Sequence, residues 1–278
     1  MFLHDVLRNR IECEGFLLME TALHIGTGQG SPTTDAGVTR DHQGRPFIPG
    51  SSLKGALRSA VERRAEWLGL TSCRLEPGYP SCLSTNRLAA EQWRNLSLGE
   101  RRQNFDEELC DTCKLFGSTS FAAKVHMDDL PVVEDLEEIA PSLIEVRDGV
   151  GIDRDSGTTA EGAKFDYEVV PSLTAFRFYL TAENLEPAQS ALLGLGLLEM
   201  MNGAVPLGGK STRGLGRCRL SLQRLYHVAF TQGDALTLAT QLLDHLRPPQ
   251  ERKGGLKEDP RAFLLKVVQD YLEEKRGA

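Results

Sequence analysis

At 278 residues, 40% hydrophobic and 26% charged, with a formal net charge of −7, the chain has the make-up of an ordinary soluble globular protein, one elaborated domain or two small ones. A net negative charge excludes a protein that coats nucleic acid indiscriminately, because non-specific binding rises with overall positive field. No apolar run approaches the roughly 20 residues that span a bilayer, and the N-terminus lacks a basic start with an apolar stretch, so a cytoplasmic chain with no membrane partner is expected.

In chain order, Glu14 to Ile25 is apolar and β-permissive and ends in the glycine-rich GTGQGSP of Gly26 to Pro32, which predicts a strand running into a loop. After a polar stretch containing Asp35 comes RPFIPG, then a helix capped by Ser51 or Ser52. Leu53, Ala56, Leu57, Ala60 and Val61 recur in it at helical spacing, and it is predicted to reach Trp67. Gly69 to Gly117 is irregular apart from a short amphipathic piece near Leu88 to Leu96, and reads as an insertion holding four of the six cysteines. The FAAKVHM run after Ser120 predicts a strand, and Ile144 to Val170 a long hairpin around DRDSGTTAEG. A strand over Thr174 to Ala182, an apolar helix over Pro187 to Met201, a glycine-rich basic loop and a strand over Gly216 to Leu225 follow. Two last helices are predicted over Asp234 to Leu246 and Pro260 to Lys275. The succession strand, helix, strand, strand, helix, strand resembles a split βαβ, ferredoxin-like arrangement, an α+β class.

The charge is unevenly spread. Arg40 to Arg64 holds six basic residues against two acidic ones, and Gly203 to Leu225 holds five basic residues and no acid, whereas Asp128 to Asp148 holds eight acids and one base. A polarised surface is expected.

RPFIPGSSLKGALR, from Arg45 to Arg58, is the most informative segment. Pro49 and Gly50 turn the chain into a helix whose first turn offers unpaired N–H groups at the positive end of the dipole, and Ser51 and Ser52 add hydroxyl donors. Lys54 and Arg58 stand four apart on one face, within reach of neighbouring phosphates; the bland reading is a capped amphipathic helix with solvated basic residues. GGKST at Gly208 to Thr212 looks like the tail of a Walker A loop, but the first glycine of that motif falls at Ala204, and the loop follows a helix and precedes a strand, the reverse of the phosphate-binding order.

In a reducing compartment the cysteines are expected reduced or metal-bound. Cys110 and Cys113 form a C-x-x-C. Cys73 and Cys82 complete a tetrahedral sulfur set for a structural zinc, with His126 as the alternative fourth ligand, while Cys13 and Cys218 fall in predicted strands as core residues.

Taken with HIGTGQG at His24 to Gly30, CDTCKLFGS at Cys110 to Ser118, RDGVGIDRDSGTTAEGAKFDYEVVP at Arg147 to Pro171 and LGGKSTRGLGRCRL at Leu207 to Leu220, the helix-start segment closely resembles the RAMP superfamily, in its Cas-seven-like branch of type III CRISPR backbone subunits. The resemblance implies a modified ferredoxin-like or RNA-recognition palm over residues 1–225, a cysteine-bearing zinc insertion at about 69–117, a thumb hairpin at about 144–170, and a helical extension over 226–278. It further implies binding of a guide crRNA, a paired target RNA, other copies of the chain and other effector subunits. Guide phosphates would be met by Arg40, Ser51, Ser52, Lys54 and Arg58, and by the loop residues Gly208, Gly209, Lys210 and Arg213.

Asp35, in DAGVTRD, stands at the position of the family's catalytic aspartate, although the usual proline after it is Ala36. The resemblance thus implies an endoribonuclease using Mg or Mn, in which a carboxylate orients the target's 2'-hydroxyl for attack on the adjacent phosphate. Two alternatives stand beside it: a metal-free guide-processing ribonuclease using His24 or His42, and a structural subunit that cuts nothing.

Overall fold

The computed structural model describes residues 6–26, 34–73, 82, 95–97, 99–100, 103, 109–118, 121–136, 138–230, 235–252 and 254–277. The loop after Gly26 and most of the predicted amphipathic piece at 88–96 lie outside the described residues.

The central strand β1 spans Asn9–Met19 and is flanked antiparallel by β7 (Ala175–Glu183) and β8 (Cys218–Ala229). A short β3 (Val125–Met127) pairs with β7 and a short β9 (Leu256–Lys257) with β8, giving one antiparallel sheet in the order β3-β7-β1-β8-β9. Two smaller antiparallel pairs stand apart: β2 (Phe47–Ile48) with β4 (Leu130–Pro131), and the long hairpin of β5 (Glu145–Ile152) with β6 (Thr159–Val169). The helices are α1 (Gly50–Glu62), α2 (Asp111–Phe116), α3 (Pro187–Met201), α4 (Ala235–His245) and α5 (Pro260–Gly277). Together they make a mixed α/β fold with antiparallel sheets. No helix among the described residues is long and apolar enough to cross a membrane.

The two faces of the sheet differ because side chains alternate along a strand. On one face Ile11, Cys13, Leu17 and Met19 of β1 join Phe176, Phe178 and Leu180 of β7 and Leu220 and Leu225 of β8, all buried. Helix α1 covers this face with Leu53, Leu57, Ala60 and Val61, and α3 with Ala191, Leu192 and Leu197, in one continuous core. Helix α3 is apolar nearly all round because α1 packs on one flank and α5, through buried Leu264 and Tyr271, on another. Its Gly196 is what lets α1 approach: a Cβ there would lie 2.8 Å from side-chain carbons of both Leu57 and Val61.

The opposite face exposes Phe16 and Leu18 towards the end of β1 and carries charge-matched polar residues over its first half. Arg10 pairs with Glu12 and Glu183, Arg224 with Glu14, and Arg252, from the segment after α4, with buried Glu12. Arg252 also lies over the Tyr226 ring, which His245 of α4 stacks against from 6.4 Å. The chain after β8 therefore occupies part of the sheet face that the helices leave open.

Candidate nucleic-acid interface

Three segments distant in sequence meet beside the end of β1. The first comprises residues 22–26 and 34–40, the second the last residues of β6, and the third the loop between α3 and β8. Leu23 and Val170 exchange backbone hydrogen bonds, each donating to the other's carbonyl at 2.8 Å, and Ala36 bridges Tyr167 in parallel fashion. The Gly209 amide donates to the His24 carbonyl at 2.8 Å. At Gly208, φ is +74°, and a Cβ would lie 2.3 Å from that same carbonyl oxygen, so a side chain is excluded both by conformation and by space.

Asp35 stands exposed at this junction. Its amide donates to Oδ1 of Asp166 at 2.8 Å, and the Asp166 amide donates to its Oδ2 at 3.0 Å. One carboxylate oxygen is thereby held while Oδ1 is without a protein partner among the described residues.

Two residues further along β6, Glu168 fastens the same loop. Its side chain accepts from the Val38 amide at 3.0 Å and pairs with Arg40 at 2.8 Å, and its own amide donates to the Ala36 carbonyl at 2.9 Å. Burial works against the Glu168 carboxylate, but the Arg40 guanidinium and the Val38 amide outweigh it and hold the group below the ordinary glutamate range. His24 completes the joint. It is buried, and Nδ1 lies 2.7 Å from the Glu168 carbonyl. Because a carbonyl can only accept, Nδ1 carries a proton. The ring also meets Tyr167 edge-on.

Lys210, in the left-handed conformation, sets its ammonium 4.4 Å from the Tyr167 ring centre and 4.9 Å from that of Phe165, a cation–π contact tying the glycine-rich loop to the base of the hairpin. Arg213 is exposed and has no ion-pair partner among the described residues. The basic run on β8 is largely neutralised: Arg217 and Arg219 share Glu20, and Arg224 holds Glu14. Lys210 and Arg213 are thus the cations of that run left to an outside anion.

Helix α1 begins at Gly50 after Pro49, without a side-chain cap from Pro49. The first turn is less bare than the sequence suggests. The Gly50 amide donates to the Asp129 carboxylate at 2.8 Å, and the amides of Ser52 and Leu53 donate to the Pro49 carbonyl. Ser51 is exposed and Ser52 half-buried. Lys54 has no ion-pair partner among the described residues, and burial, reinforced by the positive charge of Arg58, pushes its ammonium below the usual lysine range. A half-buried, uncompensated cation at a helix start is a place an anion stabilises.

Arg58 differs. Its guanidinium is used inward, Nε to Glu62 at 2.7 Å, Nη1 to the Gly117 carbonyl at 3.0 Å and Nη2 to Cys113 Sγ at 3.2 Å.

Cys73, Cys82, Cys110 and Cys113 come together with all four Sγ atoms within 4.8 Å of one another, a group that can hold a metal ion. Cys110 caps the short helix α2, its Sγ accepting from the Cys113 amide, and its own amide donates to Cys82 Sγ at 3.2 Å. The bond with Cys113, foremost, lowers the Cys110 thiol, and the same bond together with burial pushes Cys113 up. His126, the alternative fourth ligand, is exposed on β3 and outside this group. Cys13 and Cys218 are buried in strands, where burial pushes both thiols up to about 12, as core cysteines require.

The family model of the RAMP superfamily matches residues 17–219, from β1 into β8 and through every segment of this junction. The chain belongs to the RAMP superfamily. It is also similar to the CRISPR system Cms endoribonuclease Csm3 of Methanocaldococcus jannaschii, 27% identical over 226 residues that cover 77% of this chain and 79% of that protein.

Asp166, Glu168 and Tyr167 were not singled out from the sequence. The signal available was the pair of acids two apart in KFDYEVV, which a strand places on one face.

Proposed function

We propose that this RAMP protein is a guide-RNA-binding backbone subunit of a type III CRISPR effector complex and that it cuts the target RNA paired to its guide, with Asp35 as the catalytic residue. The observation that carries the reading is the seating of Asp35: one oxygen is fixed by the hairpin and the other has no partner among the described residues, on the hairpin base that Lys210 of the glycine-rich loop also touches. Similarity to a protein named an endoribonuclease supports the same activity.

In this reading the order β3-β7-β1-β8, with α1 and α3 on one face, is the split βαβ ferredoxin-like palm. The β5–β6 hairpin is the thumb, residues 69–117 the cysteine-bearing insertion and 226–278 the C-terminal extension. Ser51, Ser52 and Lys54 meet guide phosphates from one side, and the backbone of Gly208 and Gly209 with Lys210 and Arg213 from the other. Arg40, paired with Glu168, serves to hold the Asp35 loop. The four cysteines hold a structural zinc: Zn–S bonds of about 2.3 Å put tetrahedral sulfurs about 3.8 Å apart, and the four Sγ atoms here lie within 4.8 Å of one another. Partners are the guide crRNA, the target, other copies of the chain and other subunits, in the cytoplasm.

The target strand is drawn across the thumb base, where the free oxygen of Asp35 faces its 2'-hydroxyl. As that hydroxyl gives its proton to the Asp35 carboxylate and attacks the adjacent phosphorus, a cyclic phosphate forms, the bond from phosphorus to the 5'-oxygen of the next nucleotide breaks, and that oxygen takes a proton from water. The carboxylates of Asp35 and Asp166 are the hard oxygen donors that Mg or Mn takes, and such a cation, when bound, supplies stabilisation of the phosphate's developing charge. Asp166 and Glu168 fix the loop so that Asp35 does not have to be ordered during the reaction.

The second reading is a metal-free ribonuclease using a histidine, and it is favoured by the Glu168 carbonyl, which holds the Nδ1 side of the His24 ring and leaves Nε2 as the nitrogen that could take a proton from substrate. Assembled complexes with a labelled complementary RNA separate the two. The proposal expects cutting abolished by EDTA and restored by Mg or Mn; cutting that persists in EDTA and disappears in His24→Ala would establish the rival.

A further inference from the structure

Arg58 was expected on a guide phosphate, yet each of its three guanidinium nitrogens donates to a protein atom, and its side chain is 19% exposed. Two of the contacts join α1 to the cysteine cluster, since Cys113 is one of the four sulfur residues and Gly117 closes the helix α2 that Cys110 and Cys113 begin; the third, to Glu62 at the end of α1, holds the guanidinium in place from within its own helix. A second seam runs parallel. Ser72 Oγ donates to the Glu62 carbonyl at 3.1 Å, and Thr71 exchanges hydrogen bonds with Asp111 at 2.8 and 3.1 Å. The segment leading from α1 to Cys73 is thereby stitched to the C-x-x-C turn.

Four thiolates around a divalent cation leave a net charge of −2 in a largely buried place, and that charge is stabilised by donors to sulfur and by a nearby cation. Two amide donors to sulfur are present, from Cys110 and Cys113. Arg58 supplies the cation. Its hydrogen bond to Cys113 Sγ also fixes the direction of that thiolate's remaining lone pairs.

We propose that Arg58 is a positioning residue of the metal centre, holding the Cys113 thiolate and docking the RNA-binding helix onto the cluster, and not a phosphate contact. The inference rests on the reading of the cluster as a zinc site. It makes metal loading and the placement of the α1 start, about two turns before Arg58, parts of one rigid unit: without metal the repelling thiolates separate or take up protons, Arg58 loses one of its anchors, and Ser51, Ser52 and Lys54 lose their fixed bearing.

The test uses the full chain, wild type and the variants Arg58→Lys, Arg58→Met and Lys54→Ala. Metal content is read first, then the rate of zinc transfer to a chromophoric chelator, then the salt dependence of affinity for a synthetic single-stranded RNA. The expected result is zinc release about 10-fold faster or more in Arg58→Met, as for other residues that hydrogen-bond a metal's ligands. Measured while its zinc is still bound, the slope of log affinity against log salt of that variant should equal that of the wild type. Arg58→Lys, which keeps the charge but loses the fork, should release zinc faster too. Lys54→Ala should release zinc at the wild-type rate and lose about one phosphate's worth of salt slope. The opposite pattern for Arg58→Met, unchanged zinc release with a salt slope reduced by about one, makes Arg58 a phosphate contact and overturns the proposal. If the wild type itself holds no metal after expression with zinc, the zinc reading fails, and the proposal with it; a zinc-loaded wild type whose release rate ignores every change at Arg58 sinks the proposal alone. Should Arg58→Met fold poorly, Arg58→Lys carries the comparison.

Discussion

Asp35 and Asp166, 131 residues apart in sequence, hold each other through reciprocal backbone-to-carboxylate hydrogen bonds of 2.8 and 3.0 Å. The candidate catalytic loop is therefore registered to the hairpin strand and not simply left at the surface. Replacing Asp166 by Ala removes the acceptor for the Asp35 amide but leaves every residue proposed to grip RNA. Cutting should fall by about 10²-fold, the cost of a misplaced reacting group, with target affinity changed less than about 2-fold. Single-turnover cleavage and equilibrium binding on one preparation check this, and an equal loss of both would assign Asp166 to binding.

The Arg40–Glu168 pair should behave as a clamp with a defined pH signature. Glu168 has its carboxyl held below the ordinary range, so the stabilisation is fully present above the unfolded value of about 4.3 and is lost as pH falls through the lower folded value. Arg40 is about a third exposed, which limits the pair to about 1 kcal/mol. Melting curves of Glu168→Gln should lie below wild type at neutral pH and converge with it in acid. A deficit that persists unchanged in acid would mean that packing, and not charge, is what Glu168 contributes.

Salt titrations distinguish the free cations from the paired ones. Lys54→Ala and Arg213→Ala should each reduce the slope of log affinity against log salt by about one, whereas Arg219→Ala, whose charge is already matched by Glu20, should leave it within error. A reduced slope in Arg219→Ala would show that the Glu20 pair opens on binding.

Close packing between α1 and α3 is tested at Gly196. A valine there has no room against Leu57 and Val61 and should destabilise the chain by about 1–3 kcal/mol, measured by denaturant unfolding. Unchanged stability would mean that the two helices separate easily.

Much of the framework was legible in the sequence, because it depends on local signals. Helix α3 runs over Pro187–Met201 as expected, its proline at the first turn and its apolar residues leaving little choice, and the hairpin and β7 lie within a few residues of their predicted limits. The four-cysteine set also came together as read. β1 was misplaced: it covers Asn9–Met19, not Glu14 to Ile25. Arg10 and Glu12 look too charged for a strand, but they lie on the open face and are matched by Glu183 and Arg252, partners that no local window contains. Helix α1 ends at Glu62, and Trp67, predicted within it, sits 74% exposed on a separate 3-10 turn. At the site, Asp35 was legible through its motif. Its supports Asp166 and Glu168 were not, because their role is created by a long-range return of the chain. The same holds for the basic runs, whose apparent excess is reduced by cross-strand acids such as Glu20 and Glu14.

The most direct test is single-turnover cutting of a labelled complementary RNA by assembled complexes carrying wild-type chain or Asp35→Ala, at saturating target and with Mg or Mn supplied. Full target binding with cutting reduced to background in Asp35→Ala, and a cyclic phosphate on the wild-type product, is the predicted result. Equal cutting rates in the two complexes would contradict it.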